Sequence, residues 1–242
     1  MGRSGVSPTV SIVLATYQRR AQLERCILAV RQNVRLPAEI IVVDGGSTDG
    51  SAEWLRGQPG VRLYVEQQRR GCCQAYNTGF RMARAPYVMW LNDDSYPLAG
   101  AVDEAVGVLE RPEMADVGLL AFYHTHDDPW NELHGFDRDG RRWRVMHVRG
   151  YPYANFGLLR SSLLKQVDYL DPGYRFCAWD PDLALKIQLQ AGLKVLSCPR
   201  CLVYHEEVLD ARKAADAGET ARRDNERPVS YTHLTLPTIY SV

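Results

Sequence analysis

Apolar residues in the first half of the chain fall in short unbroken runs separated by polar, glycine-bearing stretches. That is the pattern of buried parallel strands alternating with amphipathic helices. Val10 to Ala15 reads as the first strand. Leu23, Cys26, Ile27 and Val30 then recur at i, i+3, i+4 and i+7, one face of a helix, before Pro37 breaks the pattern. Ile40 to Val43 predicts a second strand, followed by the glycine-rich turn Asp44-Gly-Gly-Ser-Thr-Asp-Gly50 and a short helix through Trp54 and Leu55. Val61 to Val65 is a third strand, Gly71 opens a helical segment to Arg84, and Tyr87 to Leu91 is a fourth strand. Pro97 is expected to start a helix with Leu98, Val102, Ala105, Val106 and Leu109 on one face. Strand and helix alternating at this spacing predict right-handed crossovers and a doubly wound α/β sheet.

The second half is less regular. Val117 to Phe122 predicts a strand, and Asp139-Gly140 a hairpin turn leading into the alternating run Arg142 to Val148. Ala154 to Leu159 suggests another strand, then a short helix from Ser161 to Val167. Asp180-Pro181 reads as a cap with proline at the first helical position, and Gly192 stops that helix. Short strands are expected at Lys194 to Ser197 and Leu202 to Tyr204, and a charged helix from Leu209 to Arg223.

Composition narrows the class. The chain has 242 residues, enough for one large α/β domain, and its 29 basic and 29 acidic side chains cancel. No overall basic field points to nucleic acid or an anionic membrane, so any anionic ligand must be recognised locally. No apolar run has transmembrane or signal-peptide length, which predicts a soluble cytoplasmic chain with at most peripheral association at the inner face of the membrane. The six cysteines, beside apolar segments, read as buried thiols, and Cys198-Pro-Arg-Cys201 has no second pair to make a zinc site.

The candidate chemistry gathers where the fourth strand stops. Tyr87 to Ser95, YVMWLNDDS, ends an apolar run at an amide and two adjacent carboxylates. In open parallel sheets ligands bind beyond the carboxyl ends of the strands, where Asn92, Asp93 and Asp94 would lie. Two ionised carboxylates side by side need a compensating cation, and a divalent metal would supply one. Persisting strand geometry would send Asn92 and Asp94 to one side and Asp93 to the other. The competing reading is a solvated turn capping the next helix. Asp44 and Asp49 likewise suit turn and helix-cap chemistry, the expected role of Asp49. His124, His126, Asp127 and Asp128, bunched in one loop, read as solvated side chains. Residues 123 to 157, with Trp130, Phe136, Trp143, Tyr151, Tyr153 and Phe156, have a mixture suited to stacking on sugar rings or to ordinary packing.

Thr16-Tyr17 after the first strand, Asp44-Gly-Gly-Ser-Thr-Asp49 after the second, Gly71 with Asn77, Asn92-Asp93-Asp94, Asp180 and His205 together resemble the family-2 glycosyltransferases of GT-A fold over residues 9 to 205. The resemblance implies a GT-A nucleotide-diphospho-sugar transferase-like sheet, mostly parallel, with a smaller antiparallel portion on the acceptor side. It implies transfer of a sugar from a nucleotide-diphosphate donor to a glycan or lipid-linked acceptor, with inversion and with Mn2+ or Mg2+. Thr16, Tyr17, Arg19, Asp44, Gly45, Gly71 and Asn77 are then expected around the nucleotide, Asn92 and Asp93 at ribose or sugar, Asp94 and His205 on the metal, and Asp180 as general base. Gly45 stands where many members carry an aspartate that pairs with uracil, which leaves the base open. A non-catalytic nucleotide-sugar or carbohydrate-binding homologue is the rival. A nucleotidyltransferase would call for a basic glycine-rich N-terminal loop, absent here. The domain is expected over 8–206, a charged helical extension over 207–228, and 229–242, which resembles translated adapter sequence, is set apart as non-native or disordered.

Overall fold

The structure, a computed structural model, describes residues 6–126, 131–210, 214 and 218–226. Four strands follow the apolar runs: β1 (Val10–Thr16), β2 (Ala38–Asp44), β3 (Val61–Val65) and β4 (Tyr87–Asn92). Between them lie α1 (Arg20–Asn33), α2 (Ser51–Arg56) and α3 (Cys72–Met82). The α1 stripe of Leu23, Cys26, Ile27 and Val30 is buried as its spacing requires. Asp49 takes the helix-start role expected of it. Its carboxylate accepts the Ser51 N–H at 3.0 Å and the Arg20 N–H at 2.9 Å, so one side chain ties the first turns of α2 and α1 together.

After β4 come β5 (Ser95–Pro97), α4 (Ala101–Leu109), β6 (Val117–Thr125), β7 (Glu132–Arg138), β8 (Arg141–Val148), β9 (Tyr151–Pro152) and β10 (Gly157–Arg160). Then follow α5 (Ser161–Gln166), α6 (Trp179–Leu185) running into a π-helical turn over Lys186–Gln190, β11 (Lys194–His205) and α7 (Glu219–Glu226). Pro97 does not start a helix. It ends β5, which pairs antiparallel with β11 at the sheet's edge, where a missing N–H is tolerated. The helix begins at Ala101, after Gly100 with φ 73°. Val102, Ala105, Val106 and Leu109 are buried on α4, and Leu98 lies before it. The two short strands expected near the end are one strand, β11, whose register against β6 breaks between Cys198 and Leu202. The strand expected over 154–159 is shorter, starting at Gly157. Of the charged helix expected over 209–223, Leu209 and Asp210 are irregular, Ala214 is helical with its N–H on the Asp210 carbonyl at 2.9 Å, and α7 covers Glu219–Glu226, while 211–213 and 215–217 lie outside the described residues.

The main sheet has the order β3-β2-β1-β4-β10-β6-β11-β5. β3, β2, β1 and β4 are mutually parallel, as are β6 and β11, while β10 runs antiparallel to both its neighbours. The β7–β8 hairpin turns through Asp139 and Gly140, with φ 52° and 70°, and joins the end of β6. Side chains alternate between two cores: Val13, Val88 and Trp90 pack on one face, Ile12, Leu14 and Met89 on the other. The chain leaves β1 towards β2 and β3 on one side and returns to β4 on the other. The ends of β1 and β4 therefore flank the crevice of a topological switch point, carrying Thr16 and Asn92.

Gly71, before α3, has φ 98°, and a Cβ there would lie 2.4 Å from the Arg175 carbonyl oxygen. Gly71→Ala is expected to destabilise by about 2–4 kcal/mol, combining backbone strain with a clash against main chain. At Gly60, with φ 72° and open space around it, alanine meets only the backbone strain, about 1 kcal/mol. Urea unfolding of both variants measures the difference, and equal losses would contradict the contact with Arg175.

Candidate active site

β4 ends at Asn92, and the next two residues turn instead of continuing the strand. Asp93 and Asp94 therefore do not diverge as strand geometry would have it. Both reach Arg19 Nη1, Asp93 Oδ1 at 3.2 Å and Asp94 Oδ2 at 2.7 Å. The compensating cation that this carboxylate pair needs is present within the chain. The Arg19 side chain is 1% exposed, its Nε meets Asp210 Oδ2 at 2.6 Å and its Nη2 donates to the Val208 carbonyl at 2.7 Å. Arg19 thus sits in the wall behind the carboxylates, with its nitrogens turned to protein. Thr16 Oγ1 donates to Asp93 Oδ2 at 2.9 Å, tying the end of β1 to the same turn.

His205, at the end of β11, places Nε2 3.2 Å from Asp94 Oδ1. Burial alone would raise the Asp94 carboxyl, but the His205 hydrogen bond and charge, together with Arg19, hold it well below the usual carboxylate range. Glu207 Oε1 lies 3.6 Å from His205 Nδ1 and 3.5 Å from His126 Nδ1. Neither Glu207 nor His126 was legible as a site residue: Glu207 follows the strand, and His126 sits in a loop read as solvated. The buried His205 Nδ1 has no hydrogen-bond partner among the described residues. Among the described residues no three side chains close around one point as a full metal cage. Asp94 and His205 are two donors, and a bound diphosphate would complete such a shell.

A small cleft opens beside this turn, lined by Ala15, Thr16, Tyr17, Gly45, Glu66, Arg69, Gly71, Cys72 and Ala75. It brings together Thr16, Tyr17, Gly45 and Gly71 from among the expected nucleotide residues. Asp44 is fully buried next to it, with Oδ1 accepting the Ser47 N–H. Asn77 is placed differently. Its amide bridges the Leu170 carbonyl and N–H at 2.9 and 3.0 Å, so it fastens α3 to a distant loop. Asn92 Oδ1 is 2.9 Å from the Tyr76 hydroxyl. Glu66 and Arg69 carried no motif in the sequence beyond their position after β3.

Asp180 is not the helix cap. α6 starts at Trp179, its cap position is Ala178 with φ 63°, and Asp180 lies inside the first turn. Asn155 Nδ2 donates to Asp180 Oδ2 at 3.1 Å. The residue is half-buried, and its dense surroundings push the carboxyl up to about 7 by burial. Two links hold it to the end of β4: Trp90 Nε1 donates to the Asn155 carbonyl at 2.8 Å, and Trp179 packs 4.9 Å from Tyr76 and 6.0 Å from Trp90, ring centre to ring centre. Asp182, one turn before Lys186, is buried 3.9 Å from its Nζ.

The aromatic residues of the second half mostly serve the core. Trp143, Tyr153 and Phe156 are buried, and the Trp143 indole donates to the Arg138 carbonyl. Phe136 and Tyr151 are half-buried. His124 packs edge-on against Phe156, and burial holds its pKa well below the ordinary histidine value, so it is a neutral core residue. Trp130, Asp127, Asp128 and the tail 229–242 lie outside the described residues. All six cysteines are free thiols. No helix among the described residues is long and apolar enough to cross a membrane.

Comparison with known proteins agrees with this architecture. The chain is 24% identical over 227 residues to an uncharacterized glycosyltransferase of Rickettsia typhi, covering 91% of this chain and 68% of that protein. It is 26% identical over 148 residues to an uncharacterized protein of Mycobacterium tuberculosis, covering 60% of this chain but only 45% of the relative. It shares its fold with the mannosyltransferase PcManGT from Pyrobaculum calidifontis, solved in complex with GDP-Man and Mn2+, at a TM-score of 0.64 and 21% identity, covering 87% of this chain and 60% of that one. The model of the family described as Glycosyl transferase family 2 matches residues 11–166, well over half the chain, and the chain therefore belongs to that family.

Proposed function

We propose that this protein transfers a sugar from a nucleotide-diphosphate donor to a hydroxyl of a glycan or lipid-linked acceptor, with inversion and with a divalent cation. The observation that carries the reading is the placement of the Asp180 carboxyl, tied through Asn155 and Trp90 to the strand whose end presents the Asp94–His205 pair. Asp94 and His205 would hold Mn2+ or Mg2+ through a carboxylate oxygen and an imidazole nitrogen, a donor set suited to these ions. A cation there would neutralise charge on the departing diphosphate. Glu207 beside His205 Nδ1 would fix the ring orientation, the usual role of a carboxylate behind a ligating histidine. The mannosyltransferase neighbour with GDP-Man and Mn2+ supports the same assignment.

The chain's own residues do the rest. The donor lies in the cleft beside Tyr17, whose lining includes Thr16, Gly45 and Gly71. Asp180 accepts the proton of the acceptor hydroxyl on a carboxylate oxygen as that hydroxyl attacks the anomeric carbon from the face opposite the leaving group. Asn155 holds the carboxylate in place. Because Asp180 must be ionised to act, and its carboxyl sits at about 7, activity should fall as pH drops through neutrality. A pH profile of kcat/KM is expected to lose about tenfold per unit on the acid side of that value. A profile flat down to the ordinary range of aspartate would contradict the role.

A further inference from the structure

We propose that Asp224, on α7, is a positioning residue for Asp180: it grips the segment 175–177 that enters α6 and so fixes where the base stands beside the donor cleft. The inference rests on the transferase reading above and adds a residue to that same site. α7 is a polar helix, and among its described side chains Asp224 alone is buried, at 2% exposure. Its carboxylate takes three consecutive backbone N–H groups. Oδ2 accepts from Arg175 at 3.1 Å, Phe176 at 2.6 Å and Cys177 at 3.0 Å, and Oδ1 lies 3.3 Å from the Arg175 nitrogen. A carboxylate taken out of water is costly unless it is bonded in this way, and bonds to a charged acceptor are roughly twice as strong as neutral ones.

The same segment is gripped from its other side. The Cys72 thiol, in the lining of the cleft, donates to the Phe176 carbonyl at 2.9 Å and lies 3.5 Å from that of Arg175. Gly71 faces the Arg175 carbonyl with no room for a Cβ between them. The N–H groups of the segment thus go to α7, and its carbonyls go to the wall of the cleft.

Immediately after Cys177 the chain turns through Ala178, the cap of α6, with φ 63°. An alanine in the left-handed region is strained and persists only where its surroundings hold it. Asp180 follows two residues later in the first turn of α6, so the direction of that strained turn sets the place of its carboxyl. Cys177 lies within electrostatic reach of both carboxylates: burial pushes its thiol up to about 12, and the charges of Asp224 and Asp180 add to the rise. Asp224 therefore acts on the base through main chain.

The full chain, Asp224→Ala and Asp224→Asn are compared in Mn2+ by nucleoside diphosphate release from GDP-mannose, UDP-glucose and UDP-N-acetylglucosamine, with water in the acceptor's place. Each is assayed at a temperature where its thermal melt shows it folded. Asp224→Ala is expected to lower kcat at least about tenfold. It should also move the acid limb of the pH profile down from about 7, because the base leaves the surroundings that raise it. Asp224→Asn, whose one oxygen can take the place of Oδ2, should restore part of the turnover. Hydrogen exchange on the unmodified chain stands even if Asp224→Ala does not fold, and it should find the 175–177 amides protected. Turnover and acid limb unchanged in folded Asp224→Ala, or 175–177 amides exchanging as freely as an open loop, overturn the positioning role and leave the transferase reading in place. No release from any of these donors by the unmodified chain overturns the transferase reading and this inference with it.

Discussion

Replacing Asp180 by asparagine is expected to lower kcat at least about a hundredfold while the protein stays folded and binds donor normally. A sugar hydroxyl is a poor nucleophile at neutral pH, and a positioned base contributes roughly 10²–10⁴ in rate, about 3–5 kcal/mol of barrier. The structure removes the main competing explanation. Lost capping would cost only about 1 kcal/mol of stability, and Ala178, not Asp180, occupies the cap position. Asparagine keeps an oxygen for the Asn155 amide, so geometry is retained while the proton acceptor is lost. Steady-state turnover, donor affinity by calorimetry and a thermal melt on the same preparation separate the outcomes. Turnover close to that of the unmodified enzyme would make Asp180 a packing residue.

Arg19→Met is expected to lower stability by about 3–5 kcal/mol, because it leaves Asp93 and Asp94 buried without their shared cation. Both carboxylates are 3% exposed, and Asp210 loses its partner as well. The contrast is the neighbouring Arg20, whose pair with Glu24 is exposed on both sides. Arg20→Ala should cost well under about 1 kcal/mol. Urea unfolding at neutral pH measures both. Similar losses for the two variants would mean that the buried network is not what holds the turn after β4.

Much of this arrangement could be read from the sequence because it is set by local pattern. β1 to β4 are unbroken apolar runs bounded by polar turns, and the α1 stripe repeats at helical spacing, so both survive without tertiary context. β5 could not be read this way. Its partner residues on β11 lie about a hundred positions along the chain, and Tyr96-Pro97 locally resembles a helix start. The convergence of Asp93 and Asp94 was hidden for a related reason: the strand ends one residue before them, and Arg19 reaches in from the loop after β1. The same guanidinium is held by Val208 and Asp210, 189 and 191 positions away, in a segment whose composition suggested only a charged helix. Glu66, Glu207 and His126 carry no motif, and only the sheet's topology brings them to the crevice. The aromatic residues of 123–157 suited either stacking on sugar rings or ordinary packing by composition, and for Trp143 and Phe156 it is packing, since both are buried in the core.

The most direct test of the account is a calorimetric titration of the unmodified chain and of Asp94→Asn with a panel of nucleotide-diphosphate sugars, each with and without Mn2+. The account predicts that at least one donor binds the unmodified chain, that binding is weakened at least about tenfold without the cation, and that Asp94→Asn loses the cation's effect. Donor binding that ignores both Mn2+ and the Asp94 substitution would contradict the cation site, and no binding by any donor would contradict the transferase reading as a whole.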